Sequence, residues 1–246
     1  MSSAIQNLSP VPWPDGPLIG FDTETTGVDV SKDRIVTAAI VEQIDGETQV
    51  HEWLINPGVE IPERATEVHG VTTDHARTHG LDPRHGLDEI AEKIAEHLRE
   101  ARPIVAFNVV FDLSILDAEL RRYELRTVPE RIPGEIIPVL DPLVIDRRVD
   151  RYRRGKRTLA HLCEFYEVMQ EGELHRADVD VAATLAVLRA LCEKYPELGQ
   201  RSLTEMHHWQ VDGHRSWAES FREFLKSKNK PHDGVELDWP HRRHAV

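Results

Sequence analysis

Cysteine is scarce in this chain, with only Cys163 and Cys192 among 246 residues. Both fall among apolar neighbours in stretches of helical spacing. They read as small core residues of a protein kept in a reduced cytoplasm, and they exclude a disulfide framework. Long apolar runs are missing too: none approaches the roughly 18 residues that cross a bilayer, so no membrane span is expected. The opening segment, MSSAIQNLSPVPWPDGP, has no basic stretch followed by an apolar one, and no secretory signal is expected from it. Positive charge is in short supply, with Lys and Arg totalling 30 against 43 Asp and Glu, a net charge of −13. A protein held on nucleic acid by its overall field would need the opposite balance. An acidic chain can still work on a polyanion if a local basic patch, or cations held in a site, meet the phosphates. Structural zinc is not expected: no Cys-x-x-Cys is present, and of the 14 histidines, His69, His75, His79 and His85 lack metal-site spacing. Internal repeats and low-complexity segments are also absent.

What is present is enough chain for one large domain with an appendage. Residues 1–16 are polar and proline-containing and read as an irregular lead-in. An apolar run at 18–21 stops abruptly at acidic residues, as a buried strand does at a sheet edge. Residues 34–43 and 48–56 are rich in β-formers and flank Asp45-Gly46, a hairpin signal. Residues 61–79 are polar and broken. Leu87, Ile90, Ile94 and Leu98 predict a helix over 85–100. A short buried strand is predicted at 103–108, a helix at 112–125, and a proline-rich loop at 127–140 ending in an apolar run. Further helices are predicted at 158–168 and 179–195. Residues 196–246 read as an extra helix and a tail packed on the domain. The order predicts an α/β domain over 17–195, with a mixed sheet flanked by helices, and a C-terminal helical extension over 196–246.

Carboxylates carry the chemistry. Asp22 and Glu24 sit two apart at the end of the first strand, so both project from one face. Two adjacent carboxylates repel unless a cation lies between them, and an oxygen-only pair suits Mg²⁺ or Mn²⁺ better than zinc. Asp112 follows the second buried strand and begins a helix, where an aspartate also serves as an N-cap. Asp180 lies in the first turn of the 179–195 helix, where the helix dipole favours acid. His175 precedes it by five positions, about 140° around a helix. It can share a target with Asp180 only from the loop before the helix, where Gly172 allows one.

Taken together, FDTETTG (21–27), VAFNVVFDLSIL (105–116) and HRADVDVAATLAVL (175–188) resemble the three motifs of the DnaQ-like, or DEDDh, 3′→5′ exonuclease superfamily. IPERATEVHGVTTDHA (61–76) resembles a fourth segment of many members, and the resemblance runs from about residue 17 to 192. It implies a ribonuclease H-like fold with a five-stranded mixed sheet. It implies that Asp22, Glu24, Asp112 and Asp180 hold two divalent cations, Mg²⁺ or Mn²⁺, with His175 as general base. Thr25, Thr26, His69, Asn108 and Phe111 correspond to positions that hold or shape the terminal nucleotide. Phe107 stands where many relatives carry histidine.

The segment RRVDRYRRGKR (147–157) has seven basic residues in eleven. Arg153, Arg154 and Lys156 there are the expected phosphate contacts, with Tyr152 available for stacking. The expected partner is nucleic acid with a free 3′ end. The competing readings are a proofreading subunit docked to a DNA polymerase or repair protein, an RNA-trimming exoribonuclease, and a binding module without chemistry. Trp209, Trp217, Phe221, Phe224 and Trp239 make the C-terminal segment the candidate docking element. The oligomeric state is left open by the sequence.

Overall fold

The computed structural model describes residues 12–168 and 176–242. Strands β1 (Leu18–Thr25), β2 (Ile35–Ile44) and β3 (Glu47–Leu54) form an antiparallel meander. Asp45 and Gly46 link the last two with φ of 52° and 82°, the doubly positive turn that matches strand twist. Two seven-residue helices follow, α1 (Glu63–His69) and α2 (Thr73–His79), in the stretch that reads only as polar and broken. Their residues are mostly polar and show no apolar period. Their signals are local: Gly70 ends α1 at a φ of 77°, and the Thr72 side chain caps α2 by accepting from the His75 N–H.

Helix α3 (Pro83–Arg99) starts two residues before the expected boundary, with Asp82 as cap and Pro83 in its first turn. Then come β4 (Ile104–Val105), α4 (Val109–Arg122), β5 (Val139–Leu140), α5 (Pro142–Val149), α6 (Leu159–Phe165), α7 (Ala177–Lys194) and α8 (Leu203–Ser227). Helix α5 has no counterpart in the sequence reading. The signal for it was Asp141-Pro142, whose aspartate caps the helix by accepting from the Leu143 N–H.

The sheet order is β3-β2-β1-β4-β5, with β1/β4 and β4/β5 parallel. This is the expected five-stranded mixed sheet flanked by helices. One core, including Phe21, Ile40, Ile90, Ile94 and Leu116, lies under α3 and α4. The other, including Leu18, Val105, Val181, Leu185 and Leu188, lies under α7 and takes in the buried, unbridged Cys163 and Cys192. No helix among the described residues is long and apolar enough to cross a membrane.

Gly20 sets how closely α7 approaches β1. A Cβ there would lie 2.2 Å from Val181 Cγ1 and 3.2 Å from Leu185 Cδ1. Overpacking a filled core costs about 1–3 kcal/mol. Gly20→Ala is therefore expected to lower stability by about that amount in urea denaturation, because α7 must move outward. An unchanged midpoint would show that the helix has slack.

Helix α8 takes the place of a sixth strand at the β5 edge. The Val139 N–H donates to His207 Nδ1 (3.2 Å), the Asp141 N–H to Gln210 Oε1 (2.7 Å), and Gln210 Nε2 to the Val139 carbonyl (3.0 Å). These bonds satisfy backbone groups that an open edge would expose. The tail then folds back. Trp239 is buried against the His207 ring at 4.9 Å, and the Arg242 N–H donates to Ser114 Oγ. At the other end, Trp13 is buried in a short 3-10 turn, Trp13–Asp15.

Candidate active site

Gly20, Asp22 and Glu24 share the face of β1 that meets α7. The close packing at Gly20 brings the first turn of α7, with Asp180, beside the two strand carboxylates. One oxygen from each of Asp22, Glu24 and Asp180 lies within 4.8 Å of the other two. Thr23 points to the opposite face and reaches α4. Its N–H and Oγ1 both donate to Asp112 Oδ1, at 3.1 and 2.7 Å. The strand that supplies two carboxylates thus also fixes the fourth, which is buried at 3% exposure. Helix α4 begins at Val109, so Asp112 lies a turn inside it and is not the N-cap that an aspartate there could have been.

Four acidic groups in one place are poorly tolerated as charges. Asp22 is driven well above its ordinary 3.8, first by desolvation and then by the charges of Asp112, Glu24 and Asp180. Glu24 is pushed up to about 7 by desolvation and by Asp180. Asp112 is also pushed up to about 7, with desolvation outweighing the opposing hydrogen bonds from Thr23. Near neutral pH such a cluster must hold protons or cations. Its donors are all oxygens, which suits a hard divalent ion.

Asp141 is a positioning residue that the sequence reading missed. It is buried, and its two carboxylate oxygens accept from the backbone N–H groups of Asn108 and Val109, both at 3.1 Å. Asn108 sits at a φ of 63° and ψ of 45°, a left-handed conformation that asparagine tolerates, and it turns the chain from β4 into α4. Asp141 holds this turn and so sets where α4 presents Asp112.

The other expected site residues divide by what already engages them. Thr25 Oγ1 donates to the Gly27 carbonyl at 2.6 Å, and Thr26 Oγ1 donates to Asp33 Oδ1 at 2.9 Å, closing the loop after β1. His69 Nδ1 accepts from the Val71 N–H at 3.2 Å, and its other ring nitrogen faces the Thr25 carbonyl. Burial lowers its pKa. Asn108 is exposed, Phe111 packs on the α4 core, and Phe107 packs in the α7 core. Asp178 pairs with Arg176 at 3.2 Å, as a residue of the helix start. His175 lies outside the described residues. A cleft of about 530 Å³ runs from Glu24 past Thr37, Trp53, His69 and His75 to Arg176.

The basic segment behaves differently from the expectation for Arg153. Its guanidinium bonds Asp146 Oδ2 at 2.7 Å, and Arg157 pairs with the same carboxylate. Tyr166 Oη donates to Asp146 Oδ1 at 2.8 Å, so this fully buried aspartate gathers three donors. Arg153 also covers the Phe165 ring, which lies 4.2 Å from Lys194 Nζ at the end of α7. Asp180 is at the start of that helix, about 21 Å away at 1.5 Å per residue. Arg153 therefore braces the loop at the far end of α7, because a buried carboxylate needs charged partners more than a solvated loop does. Arg154 and Lys156 on the same loop are exposed.

The exonuclease family model RNase_T matches residues 19–188. The chain is 28% identical over 189 residues to a DNA polymerase III PolC-type of Lacticaseibacillus paracasei, covering 76% of this chain and 12% of the relative. It is 32% identical over 189 residues to a DNA polymerase III subunit epsilon-like protein of Rhodobacter capsulatus, covering 75% of this chain and 24% of the relative. The chain thus spans about an eighth to a quarter of these relatives. Among solved structures it resembles exonuclease X in complex with 5′ overhanging duplex DNA, with a TM-score of 0.54 and 22% identity over 78% of this chain and 99% of that one. It also resembles E. coli exonuclease I in complex with a dA16 oligonucleotide, with a TM-score of 0.63 and 18% identity over 86% of this chain and 45% of that one. These structures share its fold.

Proposed function

Since the chain belongs to the RNase_T exonuclease family, we propose that it hydrolyses phosphodiester bonds from the 3′ end of DNA or RNA and releases nucleoside 5′-monophosphates. The DnaQ-like resemblance carried by its motifs is borne out by that membership. The observation that carries the activity is the convergence of Asp22, Glu24 and Asp180, with Asp112 fixed beside them, at the mouth of a cleft.

The residues fit Mg²⁺ or Mn²⁺. The donors are carboxylate oxygens, and their raised pKa values support a site that favours added positive charge. Asp22, Glu24, Asp112 and Asp180 would hold two such ions, which supply the charge that makes water acidic enough to attack and that steadies the leaving 3′ oxygen. His175 takes the proton of the attacking water on a ring nitrogen, a role that a side chain titrating near neutrality can fill. The backbone turn at Thr25 and Thr26, braced by His69, forms one wall for the terminal nucleotide. Asn108 at the turn into α4 and Phe111 on α4 border it. Arg154 and Lys156 are outer contacts for phosphates of a longer strand.

A second reading is favoured by the epsilon-like relative: an exonuclease unit that corrects the work of a DNA polymerase or serves repair. An RNA-trimming role is separated from it by substrate. The deciding experiment incubates purified protein with 5′-labelled single-stranded DNA and RNA in Mg²⁺, Mn²⁺ or EDTA. A ladder shortening from the 3′ end and lost in EDTA supports the proposal, and the faster polymer names the substrate class. Binding without any metal-dependent product would leave a nucleic-acid-binding module instead.

A further inference from the structure

Helix α8 is longer than its core contacts require. Of its residues Leu203–Ser227, the last buried one is Ala218, and residues 219–227 are exposed or half-buried. Where they project follows from the sheet. Helix α7 descends from Asp180, and α8 climbs back along β5, with His207 bonded at Val139 and Gln210 at Val139 and Asp141. Leu140, Val105 and Gly20 are in register across β5, β4 and β1, so Asp141 and Gln210 stand level with Phe21. Glu24 lies three strand residues further, about 10 Å. Phe221 and Phe224 lie 11 and 14 helical residues past Gln210, about 16 and 21 Å. If α8 keeps straight along β5 from these anchors, its exposed half stands past the carboxylate edge, two strand spacings and a helix radius to its side, about 15 Å.

That half carries a column of aromatic rings. Trp217, Phe221 and Phe224 recur at helical spacing on one face. Trp217 and Phe221 stack at 5.3 Å and 13°, and Phe221 and Phe224 at 6.4 Å and 17°. The outer two are 37% and 53% exposed, which an isolated surface residue does not explain. Cations close both ends: the Arg147 guanidinium covers Trp217 at 3.7 Å, and Lys228 Nζ lies 6.0 Å from the Phe224 ring. Beyond them KSKNK (226–230) holds three lysines and no acid, in a chain of net charge −13. Of the two nearby acids, Glu219 pairs with Arg215 at 3.5 Å, and Glu223 points about 100° away from Phe224 around the helix.

We infer that this column is a stacking platform for the single strand that leads into the cleft, engaging bases several nucleotides upstream of the 3′ end. Flat apolar rings bordered by cations fit a polymer with a π-face on every base and a charge on every phosphate. The same lysines would repel a second copy of this face. The inference rests on the exonuclease reading, and its geometry makes it depend on substrate length. A trinucleotide held at its 3′ end in a helical stack spans about 10 Å, at about 3.4 Å per nucleotide, and stops short of α8, whereas a long oligonucleotide reaches it.

The test compares wild type with Phe221→Ala/Phe224→Ala on a trinucleotide and on a long single-stranded oligonucleotide. Stacking contributions predict that KM for the long substrate rises about tenfold or more, while kcat and trinucleotide cleavage stay within about twofold. Fluorescence polarisation of the long oligonucleotide should show the same loss of affinity, and Phe221→Trp/Phe224→Trp should retain binding. Equal losses on both lengths, or unchanged affinity for the long oligonucleotide, overturn the platform; the unchanged case assigns the column to a protein partner. If wild type cleaves neither substrate, the exonuclease reading fails, and polarisation still decides the platform independently.

Discussion

Asp22→Asn is expected to abolish 3′-end shortening while leaving a folded protein that is more stable than wild type in EDTA at pH 8. The two halves of this result share one cause. Asp22 is desolvated and feels Asp112, Glu24 and Asp180 at once, so its charge is unfavourable when no cation is present. Asparagine keeps the shape and removes that charge, which relieves repulsion in the cation-free protein. The same change removes the central oxygen donor of the proposed ion site. Losing a group that merely orients a metal ligand costs about 10–100-fold, so losing the ligand itself should cost about a thousandfold or more. The measurement is a time course on 5′-labelled oligonucleotide in Mg²⁺, paired with thermal unfolding in EDTA. Activity within about tenfold of wild type would remove Asp22 from the chemistry. A variant that is inactive but less stable would mean the substitution damaged the fold, and the isosteric Asp180→Asn would then carry the test.

Legibility from sequence followed the range of the interactions. The strand carboxylates were readable because a two-residue period alone places Asp22 and Glu24 together, and the meander because Asp45-Gly46 demands a tight turn. Long amphipathic helices such as α3 announced themselves through Leu87, Ile90 and Ile94. Helices α1, α2 and α5, with seven or eight residues each, did not, because their stretches are polar or basic and proline-flanked, whereas the equally short α6 was legible from Leu159, Leu162 and Cys163. The contacts that set the site were the least readable. Nothing local shows that Thr23 will hold Asp112, 89 residues away, or that Asp141 will bind the backbone at Asn108 and Val109. Arg153 reads as a phosphate ligand only until Asp146 is seen to be buried beside it. The aromatic C-terminal segment was likewise ambiguous as a list of residues. In space it divides: Trp239 turns into the core, while Phe221 and Phe224 face solvent.

The pH dependence of metal stabilisation tests the carboxylate cluster without any nuclease assay. Folded Glu24 and Asp112 keep their protons up to about 7, whereas the unfolded chain gives them up near 4.5 and 3.8. Between those values the native state binds more protons than the unfolded one, so these groups contribute stability below about pH 4 that is lost as pH rises through 7. For Glu24 the difference corresponds to about 3 kcal/mol, and to about half that once solvent screening of a partly exposed group is counted. A divalent ion reverses the preference, since it binds the deprotonated cluster and competes with protons. At about a hundredfold excess over Kd it adds about 2.7 kcal/mol, or about 5–10 °C in Tm for a domain of this size. The expected result is a Tm gap between Mn²⁺ and EDTA that is small at pH 5 and widens to about that size at pH 8. The gap is the quantity to measure, because the absolute Tm mixes opposing contributions. His97, His207 and His214 have lowered pKa values through burial, so they add stability as pH rises toward 6.5. They add it equally with and without the ion, and the subtraction removes them. Asp29 and Glu130, with lowered pKa values, act below the scanned range and cancel in the same way. Glu24→Gln should flatten the gap across the whole interval. A gap that is constant with pH would mean that the ion binds elsewhere or that the cluster is already charged without it, and either outcome would undo the argument that these carboxylates form the metal site.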